Sequence, residues 1–166
     1  MRKFLAIALV VISLAACKPI SEQINIHDYS IEKLDNVSLG LSQLSLDTNL
    51  MLEADNNSAY DLSLTKLFAE LYNKSDKKVA TVTLATKKGE AKPTLHRRTS
   101  EEVAVPLKVD FDNPLSAITL VAMSLEEYGE RGYTVDYDLT LKAGCFKKRF
   151  QGHDVPVKEL VKMLQK

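Results

Sequence analysis

Side chains of alternating polarity recur in five short runs, and this two-residue period constrains the fold more than any other feature of the chain. Apolar residues at every second position give a strand one face for a core and one for solvent. The runs lie at 44–54, 62–71, 79–84, 103–111 and 134–142. Turn-forming segments separate them, among them "DNNSAYD" and "NKSDKK". The pattern predicts an all-β sandwich.

Two of these runs contain a local irregularity. The alternation changes phase near Lys66, which predicts a β-bulge or a bend at that residue. Pro106 lies inside the run 103–111 and lacks the N–H that a strand donates to its neighbour. We therefore expect Pro106 at a sheet edge or in a bulge.

One helix is predicted between the last two runs. Asn113 is a favourable N-cap, Pro114 suits the first helical position, and Gly129 would end a helix over 115–128. We expect its apolar stripe to pack on an open end of the sheets. The stripe consists of Leu115, Ile118, Ala122 and Leu125. A second, short helix is predicted from Pro156 to the C-terminus.

Length and charge limit the class of protein. A chain of 166 residues that folds as one domain buries roughly 68–70% of the surface that the unfolded chain exposes, so it needs neither a disulfide nor a metal ion to fold. Its 22 basic and 22 acidic residues give a formal net charge of zero. This balance argues against a nucleic-acid partner.

The N-terminus has the organisation of an export signal. Arg2 and Lys3 precede an apolar stretch from Phe4 to Ala16, which is shorter than the about 20 residues that a spanning helix needs. The segment Leu14-Ala15-Ala16-Cys17 resembles the lipobox of bacterial lipoproteins. The resemblance implies cleavage between Ala16 and Cys17 and acylation of the Cys17 sulfur. The alternatives are an ordinary secretory signal with an incidental cysteine, and an uncleaved membrane helix.

The lipobox divides the chain and locates it. We expect a signal peptide at 1–16, the lipidated cysteine and a tether at 17–29, and the sandwich domain at 30–166. The mature protein would be exported and anchored by its lipid to a bacterial membrane. Lys18 stands where lipoproteins retained in the inner membrane commonly carry an aspartate, so we expect the outer membrane in a cell with two.

The strand and turn order also resembles a known family. The segment "VSLGLSQLSLDTNLMLEADNNSAYDLSLTKLFAELYNKSDKKVAT", followed by "VAVPLKVDF", a helix and "YTVDYDLTLK", is similar to the type 2 late-embryogenesis-abundant domain of the WHy (water stress and hypersensitive response) group. The resemblance covers residues 30 to about 157, with Asn56-Asn57 in place of the family's usual Asn-Pro turn. It implies a fibronectin-III/immunoglobulin-like sandwich of about seven strands with an inserted helix, and a link to stress or desiccation tolerance.

The residues that could carry chemistry have simpler explanations. His27, His96 and His153 lack the spacing of zinc ligands and are expected at the surface. Acylation of Cys17 would leave Cys145 without a disulfide partner. Cys145 could be a thiolate activated by nearby cations, but no histidine and asparagine partners are identifiable, and a small buried core residue is the preferred interpretation.

Two acidic segments and several basic clusters also allow more than one interpretation. Residues 110–113 could bind calcium weakly, but they lack the later ligands of an EF-hand, and like 55–57 they are expected to form a turn. The basic clusters could contact anionic lipid, but solubility and protection of sheet edges are the preferred interpretation. These clusters are Lys77-Lys78, Lys87-Lys88, His96-Arg97-Arg98 and Lys147-Lys148-Arg149.

The sequence thus predicts a non-enzymatic envelope lipoprotein that acts as a binding or structural module. Its partners would be the membrane, through the lipid anchor, and an envelope protein or lipid that the sequence does not name. We predict no catalytic residue, metal ion or cofactor. The alternative function is a carrier of an apolar or lipid ligand, held between the sheets or under the helix.

Overall fold

The computed structural model describes residues 24–40, 43–123 and 125–159. This part of the chain is built mainly of strands. The strands are β1 (Ile24–Leu39), β2 (Leu44–Asn56), β3 (Leu62–Tyr72), β4 (Lys78–Leu84), β5 (Thr94–Leu95), β6 (Thr99–Phe111), β7 (Thr134–Ala143) and β8 (Phe146–Pro156). The helices are α1 (Pro114–Ala122) and α2 (Leu125–Glu130), both between β6 and β7.

All the strands belong to one curled antiparallel sheet, in the order β1-β2-β6-β4-β3-β7-β8, with the short β5 paired to β3. Its inner faces enclose a hydrophobic core in which Leu50, Leu107 and Leu139 are completely buried. The predicted all-β, sandwich-like fold is confirmed, with seven strands along the main path of the described sheet and β1 and β8 at its edges.

The strand register defines two opposite ends of the sandwich. At one end, Ile24 of β1 pairs with Asn56 of β2, and Leu62 of β3 pairs with Ala143 of β7. We call this the chain-entry end, because the described chain begins there. At the other end, Phe111 closes β6, and α1 and α2 follow it. We call this the helix end.

The predicted alternation holds in the central strands. In β2 and β6 every second residue faces the core along most of the strand. The predicted irregularity at Lys66 is confirmed by a register shift between Leu64 and Lys66 in the pairing of β3 with β7. The expectation for Pro106 was wrong, because β6 is an interior strand and Pro106 pairs with Asn49 of β2 without a register shift. The registered pairing of β6 with β4 stops at Leu107 and Leu84, so the missing N–H of Pro106 falls just beyond it, while its carbonyl accepts from the Ala85 N–H at 2.8 Å.

The first strand begins earlier than the sequence predicts. The sequence predicts a tether up to residue 29, but residues 24–29 belong to β1 and pair with residues 52–56 of β2. Three register shifts interrupt this pairing. As an edge strand with one neighbour, β1 buries little surface, and the shifts break its alternation. The absence of a regular period in residues 24–29 therefore reflects an irregular edge strand and not a tether.

The predicted single helix is divided in two. Asn113 caps α1 as expected, since its side chain accepts from the Leu115 N–H and Pro114 follows. Met123 then adopts an extended conformation and ends α1. Gly129 lies inside α2, and Gly132, at φ +72°, provides the stop. Hydrogen bonds from Gly132 to Gly129 and from Tyr133 to Tyr128 form the Schellman pattern that a glycine in this conformation permits.

The predicted apolar stripe of this helix was assigned to the wrong face. Leu115 and Ile118 are 74% and 70% exposed, whereas Ala117, Leu120 and Met123 are buried. Because α1 is apolar almost all round, periodicity alone could not select the packed face. Of the predicted C-terminal helix, residues 157–159 are helical, and the remainder lies outside the described residues.

Candidate functional site

The outer face of β3, β7 and β8 carries a charged network around Asp138. Arg149 donates to both carboxylate oxygens, from Nε at 2.8 Å and Nη2 at 2.6 Å, and Lys66 forms an ion pair with the same group. The Asp138 side chain is 12% exposed, while both cations are about half exposed. The hydrogen bonds from Arg149, with help from Lys66, hold the pKa of Asp138 well below its usual range. The network ties three neighbouring strands together.

A second polar cluster lies further along the same face. His153 Nδ1 lies 2.6 Å from one oxygen of Asp136, and the Asp154 N–H donates to the other oxygen at 2.8 Å. Ligand atoms of Asp136, His153 and Asp154 lie within 4.8 Å of one another, as a metal site would require. The register gives another reason for the cluster. His153 and Asp154 are the two residues of β8 that stand opposite Asp136 alone, so Asp136 stabilises a β-bulge.

Cys145 does not join this cluster. It lies in the turn between β7 and β8, at the chain-entry end, and its side chain is exposed. The expected burial of Cys145 in the core was therefore wrong. His153 lies seven positions beyond Phe146, which corresponds to roughly 23 Å along β8. Cys145 and His153 thus form no catalytic pair with each other.

At the chain-entry end, a buried asparagine joins three segments. Asn56 has no exposed surface, and its Nδ2 donates to the carbonyl oxygens of Tyr60 and Leu95 at 2.9 and 3.1 Å. Its Oδ1 accepts from the Ser58 N–H at 3.0 Å. The sequence predicts only a turn at 55–57, whereas Asn56 fixes the loop before β3 to β5. This loop carries Tyr60.

Two aromatic side chains project from the chain-entry end. Tyr60 is 55% exposed and Phe146 is 69% exposed. The β7–β8 turn reaches Tyr60, because a Cβ atom on Gly144 would lie 3.5 Å from Tyr60 Cδ1. Phe146 follows that turn and pairs with Ala143 in register. The two loops therefore place Tyr60 and Phe146 at one end of the sandwich.

Cations surround these aromatics. Lys142 and Lys147 are directly opposite each other on the β7–β8 hairpin, and Arg97 and Arg98 occupy the turn between β5 and β6. All four side chains are exposed. Within the described ranges, none of the four forms an ion pair with a carboxylate.

Three carboxylates near this end accept hydrogen bonds from neighbouring groups of the protein. Asp61 accepts from the Arg97 backbone N–H at 2.8 Å, and Glu101 accepts from His96. Hydrogen bonds from the His96 backbone lower the pKa of Glu101. Hydrogen bonds from Ser100 and His27 lower the pKa of Asp55. All three acidic groups are therefore held in internal contacts.

The remaining predicted residues have the following places. His27, His96 and His153 are all exposed, as predicted. In the segment 110–113, Asp110 accepts from Ser45 Oγ at 2.6 Å and Asn113 caps α1, so both have structural roles. Ala16 and Cys17, the predicted cleavage and lipidation site, lie outside the described residues.

Of the basic clusters, the structure brings two to the chain-entry end and leaves two elsewhere. Arg97-Arg98 and Lys147 meet at that end, whereas Lys77-Lys78 lies at the helix end and Lys87-Lys88 lies between β4 and β5. Arg149 forms an ion pair with Asp138, and the Lys148 ammonium lies 5.4 Å from the centre of the Phe150 ring.

In the described residues, no helix has the length and apolar character needed to cross a bilayer.

No protein-family model and no curated protein sequence matches the chain. The X-ray structure of the structural-genomics target SoR45 is 12% identical, covers 78% of this chain and 86% of its own, and gives a TM-score of 0.38. A protein from Archaeoglobus fulgidus is 9% identical, with coverages of 78% and 98% and a TM-score of 0.39. A β-glucuronidase of glycoside hydrolase family 2 is 12% identical over 77% of this chain but only 10% of its own, with a TM-score of 0.30.

Proposed function

We propose that this chain is an exported lipoprotein of the bacterial envelope, acylated on Cys17, whose sandwich domain is a non-enzymatic binding or structural module. The observation that carries the proposal is the N-terminal sequence: two cations, an apolar stretch too short to span a bilayer, and Leu14-Ala15-Ala16-Cys17. The lipid would hold the mature domain at a membrane surface, in the outer membrane where a cell has two.

The position of β1 supports a short connection to the bilayer. Because Ile24 already belongs to β1, at most residues 17–23 lie between the acylated cysteine and the sheet. Seven residues span at most about 25 Å when fully extended. Cleavage and acylation at Cys17 would therefore keep the domain close to the membrane.

The arrangement of reactive groups favours binding or structural association over catalysis. Cys145 and His153 lie far apart on the β7–β8 hairpin, and the Asp138 and Asp136 clusters are both accounted for by contacts that hold strands together. The resemblance to type 2 late-embryogenesis-abundant domains extends the proposal to a folded protein of stress tolerance.

Metabolic labelling with palmitate tests the anchor. We expect Cys17→Ala to abolish labelling and to accumulate the unprocessed precursor, because the acylated sulfur and the cleavage signal are lost together. Cys145→Ala is the matched control, since it removes the other of the two cysteines and should leave labelling intact. Labelling that persists in Cys17→Ala would show that the lipobox assignment is wrong.

A further inference from the structure

We propose that the chain-entry end docks on a membrane leaflet rich in anionic lipid, with Tyr60 and Phe146 entering the headgroup region and the surrounding cations meeting lipid phosphates. The inference rests on the proposed function for the anchor that brings this end to the bilayer. It goes further by assigning the face of the domain that contacts lipid and the charge of that lipid.

The place where the chain enters the sheet selects this end. Ile24 pairs with Asn56, whose side chain holds the loop that carries Tyr60, so the tether joins the sandwich beside the aromatic residues. The strand β2 then runs for 13 residues to the helix end, a distance of roughly 40 Å. A tether of residues 17–23 reaches at most about 25 Å. Anchoring therefore gives the chain-entry end a high local concentration at the bilayer.

The side chains at this end suit a lipid interface. Tyr60 and Phe146 are large, exposed and located on adjacent turns. Aromatic rings are enriched at the level of the lipid headgroups, where an apolar ring meets a polar boundary. Exposed aromatics on loops beside the point of anchoring would gain burial there at little structural cost, because they lie outside the core already.

The charge at this end matches anionic lipid. Arg97, Arg98, Lys142 and Lys147 are exposed and form no ion pair within the described ranges. Asp61 and Glu101 accept hydrogen bonds from the Arg97 N–H and from the His96 N–H, and neither carboxylate pairs with one of these four cationic side chains. Lys142 and Lys147 stand directly opposite one another, an unfavourable placement for two like charges in an isolated hairpin. Lipid phosphates at a negatively charged surface would relieve this repulsion.

The chain offers its own probe for a direct test. Acylation of Cys17 leaves Cys145 as the single thiol, and it lies next to Phe146 at the proposed face. We suggest labelling Cys145 of the acylated protein with a polarity-sensitive dye and placing the protein in phosphatidylcholine vesicles with increasing phosphatidylglycerol. The matched control carries the dye at the helix end, in Cys145→Ser with Ser75→Cys.

We expect the dye at Cys145 to move to shorter wavelength and to be quenched by shallow lipid-borne quenchers as phosphatidylglycerol increases, and to return towards its aqueous signal at high salt. The control dye at Ser75→Cys should stay aqueous. Removing two cations in Arg97→Gln/Arg98→Gln should lower the immersed-to-free ratio by about fivefold per charge. Phe146→Ser should lower it as well, without loss of the folded domain.

Several results would overturn the docking face. The first is a dye at Cys145 whose emission stays that of an aqueous environment at every lipid composition, and the second is equal burial of the dye at both ends of the domain. The third is shielding of Cys145 in native envelopes but not in vesicles, because this would indicate a protein partner. Palmitate labelling of the same samples separates the two proposals. A labelled protein with an aqueous dye refutes the docking face alone, and an unlabelled protein whose dye enters anionic vesicles refutes the anchor alone.

Discussion

Arg149 reaches across the β7–β8 hairpin and donates two hydrogen bonds to Asp138, whose carboxylate also forms an ion pair with Lys66 on β3. The two cations are about half exposed, so water screens their attraction to the carboxylate. Asp138 itself is nearly buried. The Asp138 carboxylate is therefore stabilised mainly by protein groups, whereas its two cationic partners are also solvated by water. The contacts of Asp138 help to attach β8 to the sheet.

Replacing Asp138 by Asn tests this attachment. We expect Asp138→Asn to lower the free energy of unfolding by about 1–2 kcal/mol at pH 7, because a charge-assisted acceptor is lost while the shape is kept. Chemical denaturation monitored by circular dichroism measures the difference. The exposed Asp112→Asn serves as a control that makes the same change of side chain, and it should change stability by less than about 0.5 kcal/mol.

The same variant should change the acid limb of the stability curve. The pKa of Asp138 lies lower in the folded protein than the unfolded value of about 3.9, so its contribution is complete above that value and is lost as the pH falls towards the folded pKa. We expect stability to fall less steeply in Asp138→Asn than in the wild type between about pH 4 and pH 2. Parallel curves for the two proteins would contradict this assignment.

Tyr128, which lies in α2, caps the C-terminal end of α1 with its side chain. Its hydroxyl donates to the Leu120 carbonyl, one of the last in α1, and its ring packs edge-on against Tyr133 at 5.2 Å. We expect Tyr128→Phe to lower the free energy of unfolding by about 1–2 kcal/mol, because the ring stays and a buried carbonyl loses its donor. The exposed Tyr60→Phe is the control. Equal melting temperatures of Tyr128→Phe and the wild type would count against this capping role.

Gly152 gives space to an aromatic ring on the neighbouring strand. A Cβ atom there would lie 2.2 Å from Cε1 of Tyr137 and 2.8 Å from Cγ2 of Val155. We expect Gly152→Ala to lower stability by about 1–3 kcal/mol through overpacking. Gly40→Ala, whose nearest contact would be 3.4 Å, is the control. If the clash is the cause, Tyr137→Val should restore part of the stability lost in Gly152→Ala.

The central strands and the start of the helix could be predicted from the sequence, because their physical requirements are local. In β2 and β6, one face is buried and the other exposed, so polarity alternates. Asn113-Pro114 has the local chemistry of a helix N-terminus wherever the helix packs. The bulge of β3 opposite β7 could be predicted as well, because the alternation of apolar and polar residues changes phase at Lys66.

The edge strands and the chain-entry end could not be predicted in this way. β1 and β8 each have one neighbouring strand and few buried positions, so alternation is weak in both. The docking face combines Tyr60, Arg97 and Phe146, which are distant in sequence and meet only through the register of β3 with β5 and β7. No local pattern encodes such a meeting. The sequence also could not determine which face of α1 packs on the core, because either side of that helix is apolar enough to be buried.

Glu53 and Glu102 stand directly opposite each other in the β2–β6 pairing, and both are exposed. Like charges at opposite positions repel, so we expect Glu102→Lys to raise the free energy of unfolding by about 0.5 kcal/mol, with a smaller gain at high salt. Glu53→Lys should give a similar gain. The double variant Glu53→Lys/Glu102→Lys restores a like-charged pair and should be no more stable than the wild type. If the two gains instead add in the double variant, which denaturation curves of all four proteins would reveal, the stabilisation comes from the lysines themselves and not from relief of this repulsion.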